Sequence, residues 1–276
     1  MARPSRPTSG TLRSLRLGLV PYAEAIGLQA RIAAARRAGE IPDTLLLLEH
    51  PPVLTKGRRA EAGELGMGEE WYRAQGIEVA DSDRGGRVTY HGPGQLVAYP
   101  IVDLTAIGPG PAPDVRAWVA LLERATIAAL AAAGVPAQVF DGLAGVWTAG
   151  PPPIPAGTPG PQGRPVILTT PELAAGPRPA RKIGSIGIHV SRGISTHGLA
   201  VNVNNDLQPF EWIVPCGIEA ARMSSVAAEL GAEQDIGAFA TAIESALDGE
   251  LARADQARAT AQAASARPSS VAGSSP

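Results

Sequence analysis

The residue best equipped for covalent chemistry is Cys216, the single cysteine of the 276-residue chain, in Ile213-Val214-Pro215-Cys216-Gly217-Ile218. A lone cysteine is most often a small buried apolar residue. Here it stands between proline and glycine, in a turn, and the glycine leaves room for a ligand beside the sulfur. A free thiol has a pKa of about 8.5, so little of it is thiolate at neutral pH. A nucleophilic role therefore needs a partner that lowers this pKa or takes the proton. Lys182, His91, His189 and His197 are the candidates. Lys182 and Lys56 are the only lysines among 24 basic residues. A lysine kept where the chain otherwise uses arginine hints at an amine that must be able to lose its proton. It opens the apolar run Ile183 to Ile188, where an ordinary lysine would point into solvent. Desolvated beside Cys216, it would form an ammonium–thiolate pair or act as a neutral base, and the sequence leaves both states open.

A second constellation runs Arg84, Gly85, Gly86, Arg87, Val88, Thr89, Tyr90, His91, Gly92, Pro93, Gly94, Gln95. Glycines beside strands let a backbone approach a ligand closely, and Arg, Tyr, His and Gln supply polar contacts. No G-K-[ST] follows, so this is not a phosphate-binding P-loop. No helix opens after the glycines, so it is not a dinucleotide fingerprint. A ligand-lining loop and a plain hairpin with glycine turns both fit. His91, His197 and Cys216 share no short fixed spacing, so no metal site is expected.

These residues need elements to hold them. Apolar residues make up 45% of the chain and charged residues 18%, enough for a core and unlike a disordered chain. A net charge of -2 argues against generic nucleic-acid or anionic-membrane binding. One cysteine excludes an internal disulfide. No apolar run is long enough for a membrane span and no secretory apolar segment opens the chain, so a cytoplasmic protein is expected. The spacing predicts helices over 22–38, 69–75, 114–133 and 235–247. Ile26, Ala30 and Ala33 or Ala34 mark the inner face of the first. Val115, Trp118, Val119, Leu122 and Leu130 mark that of the third, which Asp114 caps. Strands are predicted over 44–49, 53–55, 87–90, 96–102, 136–140 and 144–148, with a hairpin of 182–190 and 194–203. Residues 1–10 read as disordered, 11–250 as one catalytic domain, and 251–276 as a disordered or frayed tail. Ten of the 26 prolines fall in 150–179, which reads as an irregular surface insertion. Strand pairs joined by short turns favour an α+β fold with a mixed, largely antiparallel sheet and flanking helices.

Five segments together resemble the octanoyltransferases, the lipoyl(octanoyl) transferases of lipoate biosynthesis: LEHPPVLTKGRRA (48–60), RGGRVTYHGPGQLVAYPIVDL (84–104), GVW (145–147), KIGSIGIHVSRGISTHGLAVNVNNDL (182–207) and IVPCGI (213–218). The insertion departs from that family's pattern, His189 stands where Arg is more usual, and Lys56 is less usual. The resemblance implies a catalytic domain like that of biotin and lipoate protein ligases. It implies Cys216 as the acyl-thioester nucleophile and Lys182 as the residue that lowers its pKa. It also implies an acyl site lined by Arg84 to His91, by Ser185, Ile186 and Gly187, and by Gly198, Leu199 and Ala200. The expected reaction moves octanoyl from acyl carrier protein to lipoyl domains of 2-oxoacid dehydrogenases and glycine cleavage H protein, without a cofactor. An ATP-dependent lipoate or biotin ligase would share the fold but needs no cysteine. An octanoyl amidotransferase would use the same chemistry with another donor. A non-catalytic carrier-binding module would need neither Cys216 nor Lys182.

Overall fold

The computed structural model describes residues 12–61, 63–107, 112–151, 179–213 and 222–265. Ten strands and five α-helices occur among them: β1 (Arg13–Leu19), α1 (Tyr22–Ala38), β2 (Thr44–Glu49), β3 (Val53–Lys56), α2 (Glu69–Ala74), β4 (Glu78–Asp81), β5 (Val88–His91), β6 (Gln95–Ile101), α3 (Val115–Ala132), β7 (Ala137–Phe140), β8 (Leu143–Thr148), β9 (Lys182–Ser191), β10 (Ile194–Asn202), α4 (Val226–Leu230) and α5 (Ile236–Ser265). Seven strands form one sheet in the order β1-β2-β6-β10-β9-β8-β7, and β4-β3-β5 form a smaller one. Among the described strands only β1/β2 and β3/β4 pair in parallel. The fold is thus α+β with a mixed, largely antiparallel sheet.

Both faces of the large sheet are covered, and β2 shows why its sequence is a continuous apolar run. Leu45 and Leu47 pack under α3 and α5, with Trp118, Leu122, Phe239 and Leu247. Leu46 and Leu48 face the other way, with Ala25, Ile32 and Ala33 of α1. Alternate residues of a strand point to opposite faces, so a strand buried on both sides shows no polar alternation. Residues 152–178, most of the anticipated insertion, lie outside the described residues. Its two ends are joined: Thr148 N–H donates to Arg181 O (2.8 Å) and Ala180 N–H to Pro151 O (2.9 Å).

Several expectations are corrected. The inner face of α1 is Ala25, Gln29, Ile32, Ala33 and Arg36, while Ala30 is exposed. Two polar residues take core positions because each has a partner there. Arg36 Nε donates to Asp43 Oδ1 (2.6 Å), and Gln29 Oε1 accepts from His197 N–H (2.6 Å). In α3, Trp118, Leu121, Leu122, Ala125, Ala129 and Leu130 face the core, whereas Val115 is 44% exposed. β1, β4 and α4 were not foreseen. The helix expected to end at Leu247 runs to Ser265, and Leu251 is fully buried in the core.

Candidate active site

A cavity of about 850 Å³ opens between β5, β9, β10, the 84–87 loop and the N-terminal turns of α3, within the size range of small-molecule sites. Twelve of the residues expected to line an acyl site line it: Arg84, Gly85, Gly86, Arg87, Thr89, His91, Ser185, Ile186, Gly187, Gly198, Leu199 and Ala200. Val88 and Tyr90 do not. Strand alternation turns them into a separate cluster with Leu54, Tyr72, Phe210 and Ile213, while Thr89 and His91 face the cavity. The loop is latched to β9 by Gly85 N–H donating to Ile188 O (2.8 Å). Arg84 is held by Thr55, whose carbonyl and hydroxyl both accept from Nη2 (2.6 and 2.7 Å).

Sequence reasoning missed several of the walls. Val115 and Val119, assigned to the core face of α3, help line the cavity, as do Val97, Tyr99, Tyr22 and Arg59. The signal available for α3 was its width: Trp118, Leu121, Leu122, Ala125, Ala129 and Leu130 already make a full apolar stripe, so two further valines exceed what the core needs.

Three histidines surround the polar end. His50 is fully buried, with Nδ1 2.7 Å from Val20 O. A carbonyl only accepts, so Nδ1 carries the proton and Nε2 accepts from Tyr99 OH (2.8 Å). Burial pushes its pKa down to about 4. His91 Nδ1 lies 2.6 Å from Gln95 Oε1. Gln95 Nε2 donates to Tyr90 O and Asn202 Oδ1, so Oε1 is the acceptor and His91 Nδ1 the donor. Burial, with His50 and Arg84 nearby, holds His91 neutral, well below the usual imidazole range. His197 adopts φ 57°, a left-handed conformation uncommon outside glycine. Gln29 secures its N–H, and Asp83 Oδ1 lies 2.6 Å from its Nε2. Burial lowers the His197 pKa, with Asp83 opposing. Burial would raise the Asp83 carboxyl, but His197 and His189 together bring it below its ordinary value.

The polar chain continues inward. Asn202 Nδ2 donates to Ser224 O (3.0 Å), and Ser224 N–H donates to Lys182 O (2.8 Å). Lys182 N–H donates in turn to Arg222 O (2.8 Å). The Lys182 side chain is buried, 1% exposed, with Nζ 5.9 Å from the Trp147 ring centroid. The ordinary expectation of a solvent-pointing strand-end lysine is therefore overturned: the amine runs inward because Gly145, at φ 95°, has no Cβ. A Cβ there would sit 2.7 Å from Lys182 Cε. Cys216 lies outside the described residues. The chain leaves at Ile213 and returns at Arg222, and Ile213 and Met223 share the apolar cluster that holds Val88 and Tyr90. Among the described residues no group of three His, Cys, Asp or Glu could hold a metal ion, and no helix is long and apolar enough to cross a membrane.

The family model of the lipoyl protein ligase A/B catalytic domain matches residues 21–248. The chain is 42% identical over 250 residues to the octanoyltransferase of Mycolicibacterium smegmatis, covering 89% of this chain and 93% of that one. It is 44% identical over 218 residues to that of Rubrobacter xylanophilus, with 78% and 82% covered. The chain belongs to the octanoyltransferase family. It is a transferase of octanoyl groups built on the lipoyl protein ligase A/B catalytic fold. Solved structures of that fold superimpose on this octanoyltransferase at low identity, which shows the fold alone. One is a bi-partite lipoate protein ligase from Thermoplasma acidophilum, with TM-score 0.59, 16% identity, and 88% and 91% of the two chains covered. Another is lipoate-protein ligase A bound with ATP, with TM-score 0.54, 17% identity, and 88% and 93% covered.

Proposed function

We propose that this octanoyltransferase carries the octanoyl group on Cys216, taking it from the thioester of octanoyl-acyl carrier protein and passing it to the lysine of a lipoyl domain. Acceptors of this kind are the lipoyl domains of 2-oxoacid dehydrogenases and the glycine cleavage H protein. The Cys216 thiolate attacks the donor carbonyl, a new thioester forms, and the pantetheine thiolate leaves with a proton from the Lys182 ammonium. The acceptor amine then attacks the acyl-enzyme. An amide forms, the Cys216 thiolate leaves, and Lys182 takes the proton that the amine gives up. Exchanging one thioester for another is nearly even, and forming an amide from a thioester is downhill, so no nucleotide is needed. The mostly apolar cavity receives the acyl chain along Ile186, Leu199, Ala200, Val97 and Val119.

The observation that carries this reading is the burial of Lys182 on backbone hydrogen bonds to Arg222 and Ser224, which directly follow the segment bearing Cys216. An amine out of water is where a neighbouring thiolate is worth most as a counter-ion. A lipoyl-domain acceptor is supported by the structural likeness to the lipoate protein ligase of an archaeal lipoylation system that includes an E2 lipoyl domain. Intact mass spectrometry after incubation with octanoyl-acyl carrier protein tests the proposal. The expected result is one added octanoyl group, lost in Cys216→Ala. Addition only with ATP and free octanoate would replace it with a ligase. An alkylation profile against pH tests the lysine: Lys182→Ala shifts it to higher pH, and an unmoved profile removes Lys182 from the role.

A further inference from the structure

Five cationic side chains crowd the cavity rim and the turn beneath it: Lys56, Arg58, Arg59, Arg84 and Arg87. Three have partners built into the fold. Lys56 Nζ lies 2.6 Å from Glu69 and 3.2 Å from Asp81. Arg87 pairs with Glu61 and Glu64. Arg84 is tied to Thr55. Arg58 and Arg59 differ: both are exposed, and among the described residues neither makes an ion pair. Their backbone is nevertheless fixed. Arg58 N–H donates to Arg84 O and Arg59 N–H to Gly86 O, both at 3.0 Å. The two loops mesh so closely that a Cβ on Gly57 would come within 2.5 Å of Gly86 O. Arg59 lines the large cavity, and Arg58 lines a second cavity of about 520 Å³ that meets the first at Ala60 and Glu61. The molecule as a whole carries a net charge of -2, so this pair is local and not part of a general positive field.

We infer that Arg58 and Arg59 bind the phosphodiester of the pantetheine arm that delivers the octanoyl thioester; this rests on the donor reading given above. With the acyl chain in the cavity, the arm must leave across its rim. The phosphodiester is the arm's one charged group, and a guanidinium meets phosphate oxygens with two parallel N–H donors. The acceptor's target lysine offers these guanidinium groups no anion to bind, whereas the donor arm does. Pinned backbones keep the two guanidinium groups near the rim before the donor binds, which limits the ordering cost of binding. Arg58 and Arg59 thereby favour the phosphorylated donor over any thioester that lacks the phosphate.

The test compares Cys216 acylation by octanoyl-phosphopantetheine, octanoyl-pantetheine and octanoyl-acyl carrier protein. Wild-type protein should show kcat/KM roughly tenfold higher for the phosphorylated small donor than for the unphosphorylated one, the scale of one charge-assisted hydrogen bond. The Arg58→Ala/Arg59→Ala double variant should bring that ratio near one. Arg59→Lys should keep part of it, and added salt should erode it in the wild type. An unchanged ratio in the double variant, or no preference in the wild type, overturns the assignment. Loss confined to octanoyl-acyl carrier protein also overturns it and gives the arginines to the carrier's acidic surface. Wild-type protein acylated by octanoyl-pantetheine but indifferent to the phosphate leaves the donor reading standing and this assignment refuted. Wild-type protein that no thioester acylates overturns both.

Discussion

Lys182 is a long cationic-type side chain inside a fold that could have spared it the burial, since Arg181, the residue just before β9, is about a quarter exposed and pairs with Glu229 at 2.6 Å. Burying an amine is costly unless something answers its charge, so the position reads as functional. Lys182→Met keeps the stem and removes only the amine. Cys216 acylation should fall by about 10² or more, the usual yield of a positioned acid–base group, with the melting temperature held or raised. Single-turnover acylation together with thermal unfolding checks this; a matching loss of fold would instead make Lys182 structural. Gly145→Ala should act at the same place from the other side. It forces a side chain into the Gly184 carbonyl and the Lys182 stem, at a φ that L-residues avoid, so both stability and acylation should drop.

At the scale of elements, β10 joins the cavity to the lysine strand. Its outer part presents His197, Gly198 and Leu199 to the cavity, and its last residue, Asn202, sits in the buried chain from His91 through Gln95 to Ser224. Asn202→Ala removes the donor to the Ser224 carbonyl and one acceptor of Gln95. A loss of about 1–3 kcal/mol is expected from urea unfolding, together with slower acylation. The α5 helix makes a separate claim on stability. Leu251 lies beyond the point where apolar spacing thins out, yet it is fully buried. Leu251→Ala should cost about 2–5 kcal/mol by calorimetry or denaturant, whereas a side chain in a frayed end would cost almost nothing.

For the molecule as a whole, the histidine cluster sets a pH limit. His50, His91 and His197 all have pKa values lowered by burial, so the folded state binds protons less readily than the unfolded chain. Their stabilising effect is complete above the unfolded value of about 6.5 and is lost as pH falls toward the folded values. For His50 alone, a fall from 6.5 to about 4 corresponds to roughly 3 kcal/mol. The Asp83 carboxyl, also lowered, withdraws its own contribution only as pH falls below its ordinary value of 3.8. Urea midpoints should therefore drop steeply between pH 6.5 and 4.5, and His50→Gln should flatten part of that slope. Equal midpoints at pH 7 and 5 would contradict the neutral, buried assignment.

What could be read from the chain alone was whatever depends on neighbours in sequence. Helix α1 emerged over Tyr22–Ala38 because helical spacing is a local signal, and β2 emerged because a short run of four leucines bounded by prolines reads as a strand buried on both faces. The glycine-rich loop and the isolated cysteine announced chemistry by residue type. The tertiary structure decided which face each element turned inward. Gln29 and Arg36 displaced apolar neighbours on α1 because His197 and Asp43, far away or around a turn, supplied their hydrogen bonds. Val115 and Val119 became cavity wall because they face the space also lined by Ser185 to Ile188 of β9 and Gly198 to Ala200 of β10, and Lys182 turned inward because Gly145 on an adjacent strand made room. Burial, partnership and empty space are properties of residues brought together from distant parts of the chain, so no local pattern could have carried them.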